Sequence, residues 1–342
     1  MRWLNLLLIS LSFGLTACDR GSTGADAKGG AGAPKEVRIG YFANLTHAQG
    51  VLGVASGDFQ QAVAPSTLTT RVFNAGPSLI EALFARQIDI GYVGPGPAIN
   101  AHLKSKGSGI RIVAGAAANG VLIVAGPNSG VSSFAEIKGK RVATPQLGNT
   151  QDIAARHFLT TLLKQEDAKN VLPIANAEQA SLMSRGEIDV AWAPEPWGSR
   201  LLIENGAKLV AQEKDLWPNK AFTLTLVVTT PEFLKRHPDV VEKVLVVHRG
   251  WTKRLQENPQ EQLPQLQQAL TALTGKALPA GVLPAAIGNV RFTDDPLNET
   301  LETMATWSAE LGFVKEQAKL EGLVDLSILN KLRNAAAAST AK

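Results

Sequence analysis

The residues with the clearest capacity to bind a ligand lie where two similar segments end. The first reads IDIGYVGPGP at residues 88–97 and the second reads IDVAWAPEPW at residues 188–197, so the two are one hundred positions apart. Each begins as an apolar strand pattern and ends in prolines. Pro97 and Pro196 suit the first turn of a helix, where a missing backbone N–H removes no hydrogen bond. The repeat therefore predicts the same strand and helix start built twice.

The start of a helix is a place where an anion can bind without a basic side chain. The first N–H groups of a helix have no partner within it, and the helix dipole adds about half a positive charge there. Gly94 and Gly96 leave such N–H groups uncovered in the first segment. The chemistry predicted at these positions is hydrogen bonding to an oxyanion.

Two further helix starts are predicted at the ends of other strands. Asn44 and Thr46 follow one strand and are expected to cap the next helix, and Asn149 or Thr150 is expected to cap the helix after a second strand. Ligands in open α/β sheets lie beyond the carboxyl ends of the strands, so the four helix starts are expected to converge on one cleft. Ordinary turn chemistry is the alternative interpretation of each start taken alone.

The repeated segments also contain aromatic and acidic residues. Tyr92, Trp192 and Trp197 are placed to clamp a ligand that carries CH₂ groups, and core packing is the alternative for the first two. Glu195 is unexpected next to an anion. It is interpreted as a partner for a cation between the lobes, an acceptor from a ligand amine or hydroxyl, or a solvent-facing side chain.

The chain lacks the motifs that catalysis or metal binding would require. Its five histidines form no H-x-x-x-H or H-x-H cluster, and no G-x-S-x-G or phosphate-binding G-x-x-x-x-G-K-[ST] motif occurs. His47, the one titratable residue at a strand end, is predicted to act as a charged donor to an anion, and no cofactor or metal is predicted. Net charge is only +4 without basic blocks, so nucleic acid is not an expected partner.

The pattern of strands and helices predicts two α/β units, each with a parallel layer. Residues 36–123 are expected to form the first part of lobe 1, residues 124–225 lobe 2, and residues 226–335 a return to lobe 1 with C-terminal helices. The apolar strands 121–126 and 224–230 are the expected crossings between the lobes. A simple tandem of two units is the alternative.

The N-terminus has the features of an export signal. Arg2 precedes an apolar run that is too short to span a bilayer, so residues 1–17 are predicted to be a signal peptide. Residues 15–18, LTAC, resemble the bacterial lipobox, in which the cysteine is lipidated. Cys18 is the only cysteine in the 342 residues, and residues 18–35 are predicted to form the lipidated cysteine and a flexible tether. By the same resemblance, Asp19 favours a periplasmic protein anchored to the inner membrane; an ordinary cleavable signal is the alternative.

Longer segments resemble a known family. IGYFANLTHAQ, FNAGPSLIEALFARQIDIGYVGPGPAINA, KGKRVATPQLGNTQD, IDVAWAPEPWGSRL and EKDLWPNKAFTLTLVV resemble the solute-binding lipoproteins of ABC importers of the nitrate, sulfonate and taurine type, and most of all the aliphatic sulfonate-binding ones. The resemblance runs from about residue 36 to 330. It implies a type II periplasmic-binding-protein fold, in which two α/β lobes are joined by two crossing strands. It also implies a monomer that delivers its ligand to a membrane permease and ATPase.

The resemblance places the ligand contacts in the loops at strand ends. The residues implied are Asn44, Thr46, His47, Gly94, Pro95, Gly96, Asn119, Gly120, Gln146, Asn149, Thr150, Trp192, Glu195 and Trp197. The expected ligand is a small organic oxyanion such as an aliphatic sulfonate, taurine or a sulfate ester. Nitrate, bicarbonate, an aromatic carboxylate or a thiamine-precursor pyrimidine are the alternatives on the same scaffold. Alternatives from other classes are a pyrimidine-synthesis enzyme, whose Cys- and His-rich motifs are absent here, and a sensory lipoprotein.

Overall fold

The computed structural model describes residues 32–315 and 319–340. The predicted signal peptide at residues 1–17, the lipidation site Cys18 and the first part of the tether, residues 18–31, lie outside the described residues. Across the described ranges, no helix has both the length and the apolar character that crossing a bilayer requires.

The apolar segments form strands close to where the sequence predicts them. In chain order the strands are β1 (Glu36–Phe42), β2 (Thr67–Phe73), β3 (Ile90–Val93), β4 (Arg111–Asn119), β5 (Val121–Ala125), β6 (Val142–Thr144), β7 (Val171–Pro173), β8 (Val190–Pro194), β9 (Lys208–Gln212), β10 (Thr223–Thr229) and β11 (Val290–Phe292).

Helices follow most strands and make up the C-terminal part of the chain. They are α1 (Ala48–Ala55), α2 (Asp58–Val63), α3 (Gly76–Phe84), α4 (Pro95–Lys104), α5 (Thr150–Thr161), α6 (Asn176–Ser184), α7 (Trp197–Asn205), α8 (Pro231–Arg236), α9 (Pro238–Glu257), α10 (Leu263–Thr274), α11 (Val282–Ile287), α12 (Asn298–Glu310) and α13 (Ser327–Thr340). The amphipathic segment over residues 48–63 forms two helices, α1 and α2. Gly57, between them, has a φ of 80°, which ends one helix before the next begins.

Two sheets define two lobes. Sheet 1, the centre of lobe 1, has the strand order β11-β4-β10-β3-β1-β2, and sheet 2, the centre of lobe 2, has the order β7-β6-β8-β5-β9. The two α/β lobes confirm the expected fold class. The strands β10 and β11 return to sheet 1, so the lobes are not a simple tandem.

The expectation of parallel layers is wrong for three of the five strand pairings in sheet 1 and for two of the four in sheet 2. β1 pairs in parallel with β2 and β3, and β6 pairs in parallel with β7 and β8. The strands that enter a sheet from the other lobe run the opposite way, because β10 is antiparallel to β3 and β5 is antiparallel to β8. A strand that follows a crossing enters its sheet from the opposite end, so both sheets are mixed.

The chain crosses between the lobes at Asn119–Gly120 and again through residues 213–222. Asn119 and Phe222 join the two crossings: the Asn119 N–H donates to the Phe222 carbonyl over 3.0 Å, and the Phe222 N–H donates to Asn119 Oδ1 over 3.2 Å. Each of β5 and β10 lies wholly within one sheet. The expected boundaries at 123/124 and 225/226 therefore fall inside strands, and the crossings themselves lie just before them.

The repeated segments share one more feature at the opposite end of their strands. Asp89 accepts hydrogen bonds from the backbone N–H, Nε and Nη2 of Arg38, and Asp189 accepts the same three from Arg141. Arg38 lies on β1, and Arg141 directly precedes β6. These pairs fix the register of the equivalent strands in each lobe, away from the carboxyl ends.

An aromatic cluster packs behind the two crossings. Phe158 of α5 stacks on Trp192 of β8 at 6.2 Å between ring centroids and meets Trp307 of α12 at 5.0 Å. Trp217, in the second crossing, stacks on Phe222 and lies 4.4 Å from Trp307. The apolar core is therefore continuous from lobe 1 to lobe 2 on this side.

Candidate functional site

A small cavity lies between the lobes, at the carboxyl ends of the parallel strands. Its walls come from loops that follow strands of both sheets, and its volume is about 30 Å³. A cavity of this size holds only a small group of atoms. Gly94 and Pro97 from the first repeated segment and Pro194 from the second line this same cavity. The two repeated segments are thus walls of one space.

The cavity is surrounded by the starts of helices from both lobes. Gly76 begins α3, Gly94 precedes the first residue of α4, Thr150 begins α5 and Asn176 begins α6, and all four line the cavity. Each of these helices has at least nine residues. Their free N–H groups and dipoles make the potential in the cavity positive.

The residues lining the cavity include no lysine, arginine, aspartate or glutamate. The positive potential of the helix starts is therefore not cancelled by a carboxylate. Because no basic side chain contributes, an anion would be held by backbone N–H groups, amides and hydroxyls.

Amide and hydroxyl groups supply the polar surface of the cavity. Asn44, Asn149 and Asn176 line it together with Thr225. The side chain of Asn149 caps α5, as the sequence predicts, by accepting the Asp152 N–H over 2.8 Å. Asn176 Oδ1 and Thr225 Oγ1 are buried and have no hydrogen-bond partner among the described residues. Buried polar atoms of this kind usually have a partner, so they mark a place where a ligand is expected.

His47 reaches the cavity as a neutral imidazole. It is 3% exposed, and its ring stacks on Phe42 with centroids 4.2 Å apart. The Phe42 N–H donates to Nδ1 over 3.4 Å, which leaves Nε2 as the N–H donor. Burial lowers the pKa of His47 to about 3. The residue therefore offers one neutral donor, and the positive charge expected on it is wrong.

Contacts across the cleft hold the two lobes against each other. The Gly96 N–H of α4 donates to Thr150 Oγ1 of α5 over 3.3 Å. On the other side of the cleft, Trp197 Nε1 donates to Asn44 Oδ1 over 2.7 Å. The two lobes are therefore in direct contact on both sides of the cavity.

Six of the fourteen residues predicted to contact the ligand line the cavity. They are Asn44, Thr46, His47, Gly94, Asn149 and Thr150. Asn44 was expected to cap the following helical turn. It does not do so, because its side-chain oxygen accepts a hydrogen bond from Trp197 instead. Trp197 itself lies at the cleft edge and lines an adjoining groove.

Trp192 does not belong to an aromatic clamp around the cavity; it has the core position that was the alternative. The structure buries it completely, with Nε1 donating to Glu213 Oε2 over 2.7 Å and the ring packed in the aromatic cluster. Tyr92 is also completely buried, and its hydroxyl lies 3.1 Å from His248 Nδ1. Both side chains point from their strands into helix layers, so neither lines the cavity.

Glu195 is turned away from the cavity and fully buried. Its carboxylate accepts the Ser199 N–H and hydroxyl at 3.0 and 2.7 Å, and Asn289 Nδ2 over 2.7 Å. Of the three interpretations of Glu195, that of a solvent-facing side chain is therefore wrong. Burial raises the pKa of Glu195, and the bonds from Ser199 and Asn289 oppose that rise. Because Asn289 belongs to lobe 1, Glu195 links the lobes and also closes the start of α7.

The remaining predicted residues have structural places outside the cavity lining. Asn119 and Gly120 form the first crossing, where the Gly120 carbonyl accepts the Glu195 N–H over 2.9 Å. Gln146 Oε1 is buried without a hydrogen-bond partner among the described residues, and Pro95 is buried in the first turn of α4. Gly96 does not line the cavity, but its N–H donates to Thr150 Oγ1 across the cleft.

The sequence prediction missed the starts of α3 and α6. Asn74, Ala75 and Gly76 follow β2, and Asn176 follows β7, and all line the cavity. The signal was present in the sequence, because LTTRVF at residues 68–73 and VLPIAN at residues 171–176 have strand patterns and the carboxyl ends of parallel strands lie at the same edge of a sheet. Thr225 was missed because nothing in its own segment shows which neighbours surround β10.

No group of histidine, cysteine, aspartate and glutamate residues within the described ranges is arranged to hold a metal ion. The site is therefore described by its helix starts, amides and hydroxyls.

The two sheet-containing lobes and the cleft between them define the class of the fold, that of the type II periplasmic binding proteins. The structure resembles the alkanesulfonate-binding protein SsuA from Xanthomonas axonopodis pv. citri bound to MOPS, with a TM-score of 0.72 and 20% identity over 86% of this chain and 99% of the other. At that identity, the likeness concerns the fold alone.

Sequence comparison then gives the family. The model of the NMT1-like family matches residues 30–277, and the chain belongs to that family. It is 24% identical over 271 residues to the taurine-binding periplasmic protein of Escherichia coli (strain K12), covering 76% of this chain and 81% of that protein. It is 25% identical over 213 residues to a putative binding protein of Brucella abortus (strain 2308), covering 62% of this chain. That match spans 64% of the length of the Brucella relative.

Proposed function

We propose that this chain is the extracytoplasmic solute-binding component of an ABC importer. It captures a small organic oxyanion between its lobes and delivers it to a permease and its ATPase, without catalysing a reaction. The observation that carries the proposal is the cavity without charged side chains, which the helix starts of both lobes surround. The names of the taurine- and alkanesulfonate-binding proteins described above agree with an oxyanion ligand.

Closure is the step that selects the ligand. In an open form the anion meets the donors of one lobe only, and closing adds the donors of the other. A ligand shifts the population toward the closed form only as far as it binds that form more tightly. An oxyanion does so because it bonds to helix starts on both sides, whereas the Thr150–Gly96 and Trp197–Asn44 contacts are common to every closed molecule.

The volume of the cavity favours a second candidate ligand. A space of about 30 Å³ suits a compact inorganic oxyanion such as nitrate or bicarbonate as well as the head group of a sulfonate. A ligand with an organic part must extend beyond the cavity. A thermal-shift screen with both kinds of oxyanion distinguishes an inorganic from an organic ligand.

Thermal-shift screening of protein that has been unfolded, stripped of ligand and refolded tests the proposal. The panel contains alkanesulfonates, taurine, sulfate esters, nitrate, bicarbonate and aromatic carboxylates, with alkylammonium salts as the cation control. An oxyanion at about one hundred times its dissociation constant is expected to raise the melting temperature by roughly 5 °C or more. A rise in melting temperature with the cations alone would contradict the proposal. The absence of a rise with every compound would also contradict it and would favour a sensory lipoprotein.

We also propose that the protein is periplasmic and anchored through a lipid on Cys18. The lipobox-like LTAC segment and the single cysteine support this proposal. Globomycin, which blocks the lipoprotein signal peptidase, is expected to leave the precursor unprocessed, and Cys18→Ala is expected to abolish both lipidation and processing. Processing that is insensitive to globomycin would indicate an ordinary signal peptide.

A further inference from the structure

The side-chain amide of Asn44 lies between the cavity and Trp197. Asn44 belongs to lobe 1 and lines the cavity. Trp197 begins α7 of lobe 2 and does not line the cavity, but it lines the groove beside α10 at the cleft edge. Asn44 lines this groove as well. The amide is therefore in contact with both spaces.

The contact with Trp197 fixes the direction in which each end of this amide points. Trp197 Nε1 donates to Asn44 Oδ1 over 2.7 Å. An indole N–H can donate a hydrogen bond but cannot accept one, so it selects the oxygen of the amide and not the nitrogen. Because the oxygen and the nitrogen lie on opposite sides of the amide group, Asn44 Nδ2 is directed away from Trp197.

Asn44 Nδ2 carries two N–H donors that the protein itself does not use. Among the described residues, the hydrogen bond to Trp197 is the only one that the Asn44 side chain makes. The residue is only 6% exposed, and buried polar groups usually have a partner. An oxyanion in the cavity supplies the acceptor that Nδ2 lacks.

Trp197 is held in place by its own lobe. The Glu195 carboxylate accepts the N–H and the hydroxyl of Ser199 and so closes the first turn of α7. The guanidinium of Arg200 lies 5.5 Å from the centroid of the Trp197 ring, and it is paired in turn with Glu204. The indole N–H is therefore presented to lobe 1 by a fixed part of lobe 2.

We infer that Trp197 is a positioning residue, which orients the Asn44 amide so that Nδ2 donates to the bound oxyanion, and that Trp197 does not touch the ligand itself. This inference rests on the proposed function, because an oxyanion must occupy the cavity. It differs from the direct ligand contact that the family resemblance implies for Trp197. Since the two residues belong to different lobes, a donor of lobe 1 is aimed at the anion only when lobe 2 meets it. Contact between the lobes is thereby coupled to anion binding.

Calorimetry with methanesulfonate tests this role through a double-mutant cycle. Trp197→Phe keeps an aromatic ring and removes the N–H, and it is expected to bind roughly 3- to 10-fold more weakly, because the freed amide can turn its oxygen toward the anion. Asn44→Ala removes the donor itself and is expected to bind roughly 10- to 100-fold more weakly. The double variant is expected to bind no more weakly than Asn44→Ala.

Trp251→Phe is the matched control. Trp251 Nε1 donates to Asp58 Oδ2 over 2.9 Å within lobe 1, and neither residue lines the cavity. This variant loses the same kind of hydrogen bond, and its affinity for methanesulfonate is expected to equal that of the wild type.

Nuclear magnetic resonance of the ¹⁵N-labelled wild type gives a signal that a merely structural contact would not change. The Nε1–H resonance of Trp197 is identified by its absence from Trp197→Phe. It is expected to move downfield when methanesulfonate is added, because an anion at Nδ2 polarises the amide and strengthens the hydrogen bond at Oδ1. The resonance of Trp251 is expected to stay in place.

The outcomes separate the positioning role from the function on which it rests. Unchanged affinity in Trp197→Phe, or an equal loss in Trp251→Phe, overturns the inference. Equal losses in Trp197→Phe, Asn44→Ala and the double variant would show that the pair only holds the lobes together. Losses that multiply in the double variant would show that Trp197 acts independently of Asn44. All of these results contradict the inference and leave the oxyanion site standing, whereas a wild type that does not bind methanesulfonate would overturn the inference together with the proposed sulfonate function.

Discussion

Thr150 is the residue at which the cavity and the contact between the lobes meet. It begins α5, its hydroxyl accepts the Gly96 N–H over 3.3 Å, and it lines the cavity. Thr150→Val keeps the shape of the side chain and removes the hydroxyl. Because hydrogen bonds to charged groups contribute about 1.5–3 kcal/mol, we expect the bound oxyanion to be held roughly 10- to 100-fold less tightly, as measured by calorimetry.

Thr160→Val is the matched control on the same helix. Thr160 donates its hydroxyl hydrogen to the carbonyls of Arg156 and His157, as threonines within helices commonly do, and it does not line the cavity. Its replacement is expected to leave affinity unchanged. Equal affinity in Thr150→Val and the wild type would remove the start of α5 from the site.

His248 allows a pH dependence of stability to be assigned to one residue. It is fully buried between the Tyr92 hydroxyl, 3.1 Å from Nδ1, and the Gly115 carbonyl, 2.8 Å from Nε2. Burial lowers its pKa to about 4, below the value of about 6.5 expected in the unfolded chain. Between those two values the unfolded chain binds more protons, so the stability from this residue is present above pH 6.5 and is lost as the pH falls toward 4.

We expect His248 to account for about 2 kcal/mol of the difference in the free energy of unfolding between pH 7 and pH 5. His248→Gln retains a donor and an acceptor but cannot be protonated, so this variant should lose about 2 kcal/mol less than the wild type on the same change. Urea denaturation of both proteins at both pH values measures this. Burial raises the pKa of Glu213 to about 7, so its contribution to stability falls as the pH rises. Glu213 is present in both proteins, so its contribution cancels when their pH dependences are compared. Identical pH dependence in the two proteins would contradict the assignment.

At the scale of secondary-structure elements, the close approach of α4 to α5 depends on glycine. A Cβ on Gly96 would lie 2.8 Å from Ile153 Cδ1 and 3.2 Å from the backbone N and Cα of Thr150. Thr150 is the first residue of α5, so its backbone can give way to the added methyl group only if lobe 2 moves away from lobe 1. Gly96→Ala is therefore expected to fold normally, because alanine favours a helix, but to bind the oxyanion at least tenfold more weakly, since full closure is blocked.

Small-angle X-ray scattering with and without ligand, together with calorimetry, measures the effect of Gly96→Ala. The wild type is expected to become more compact with ligand and the variant to remain expanded. Gly250→Ala on α9 is the control, because a Cβ there meets nothing within 4 Å. Normal closure in Gly96→Ala would show that α4 and α5 do not need to approach so closely.

The same elements show what the sequence could predict. Gly94, Asn149 and Thr150 were found because local signals, a strand followed by glycine, proline or a capping residue, fix both the helix start and the sheet edge. Trp192 was misplaced because a strand residue in a buried layer has the same local pattern whichever layer its side chain enters. The antiparallel β10 and the groove beside α10 arise from long-range contacts, which local patterns do not encode.

At the scale of the whole molecule, the two lobes hold the cavity between equivalent elements. The Arg38–Asp89 and Arg141–Asp189 pairs fix the register of the equivalent strands, and the starts of α4 and α5 then meet across the cleft. The shared aromatic cluster and the Asn119–Phe222 hydrogen bonds tie the crossings together on the opposite side. Closure is therefore expected to be a rotation about these crossings that leaves each sheet unchanged.

A crystal structure with a bound short alkanesulfonate tests the central claim most directly, because it locates the oxyanion relative to the helix starts. We predict sulfonate oxygens within about 3 Å of backbone N–H groups at helix starts of both lobes, among them α4 or α5, with no lysine or arginine in contact. A sulfonate bound outside this cavity, or held by basic side chains at the surface, would contradict the account.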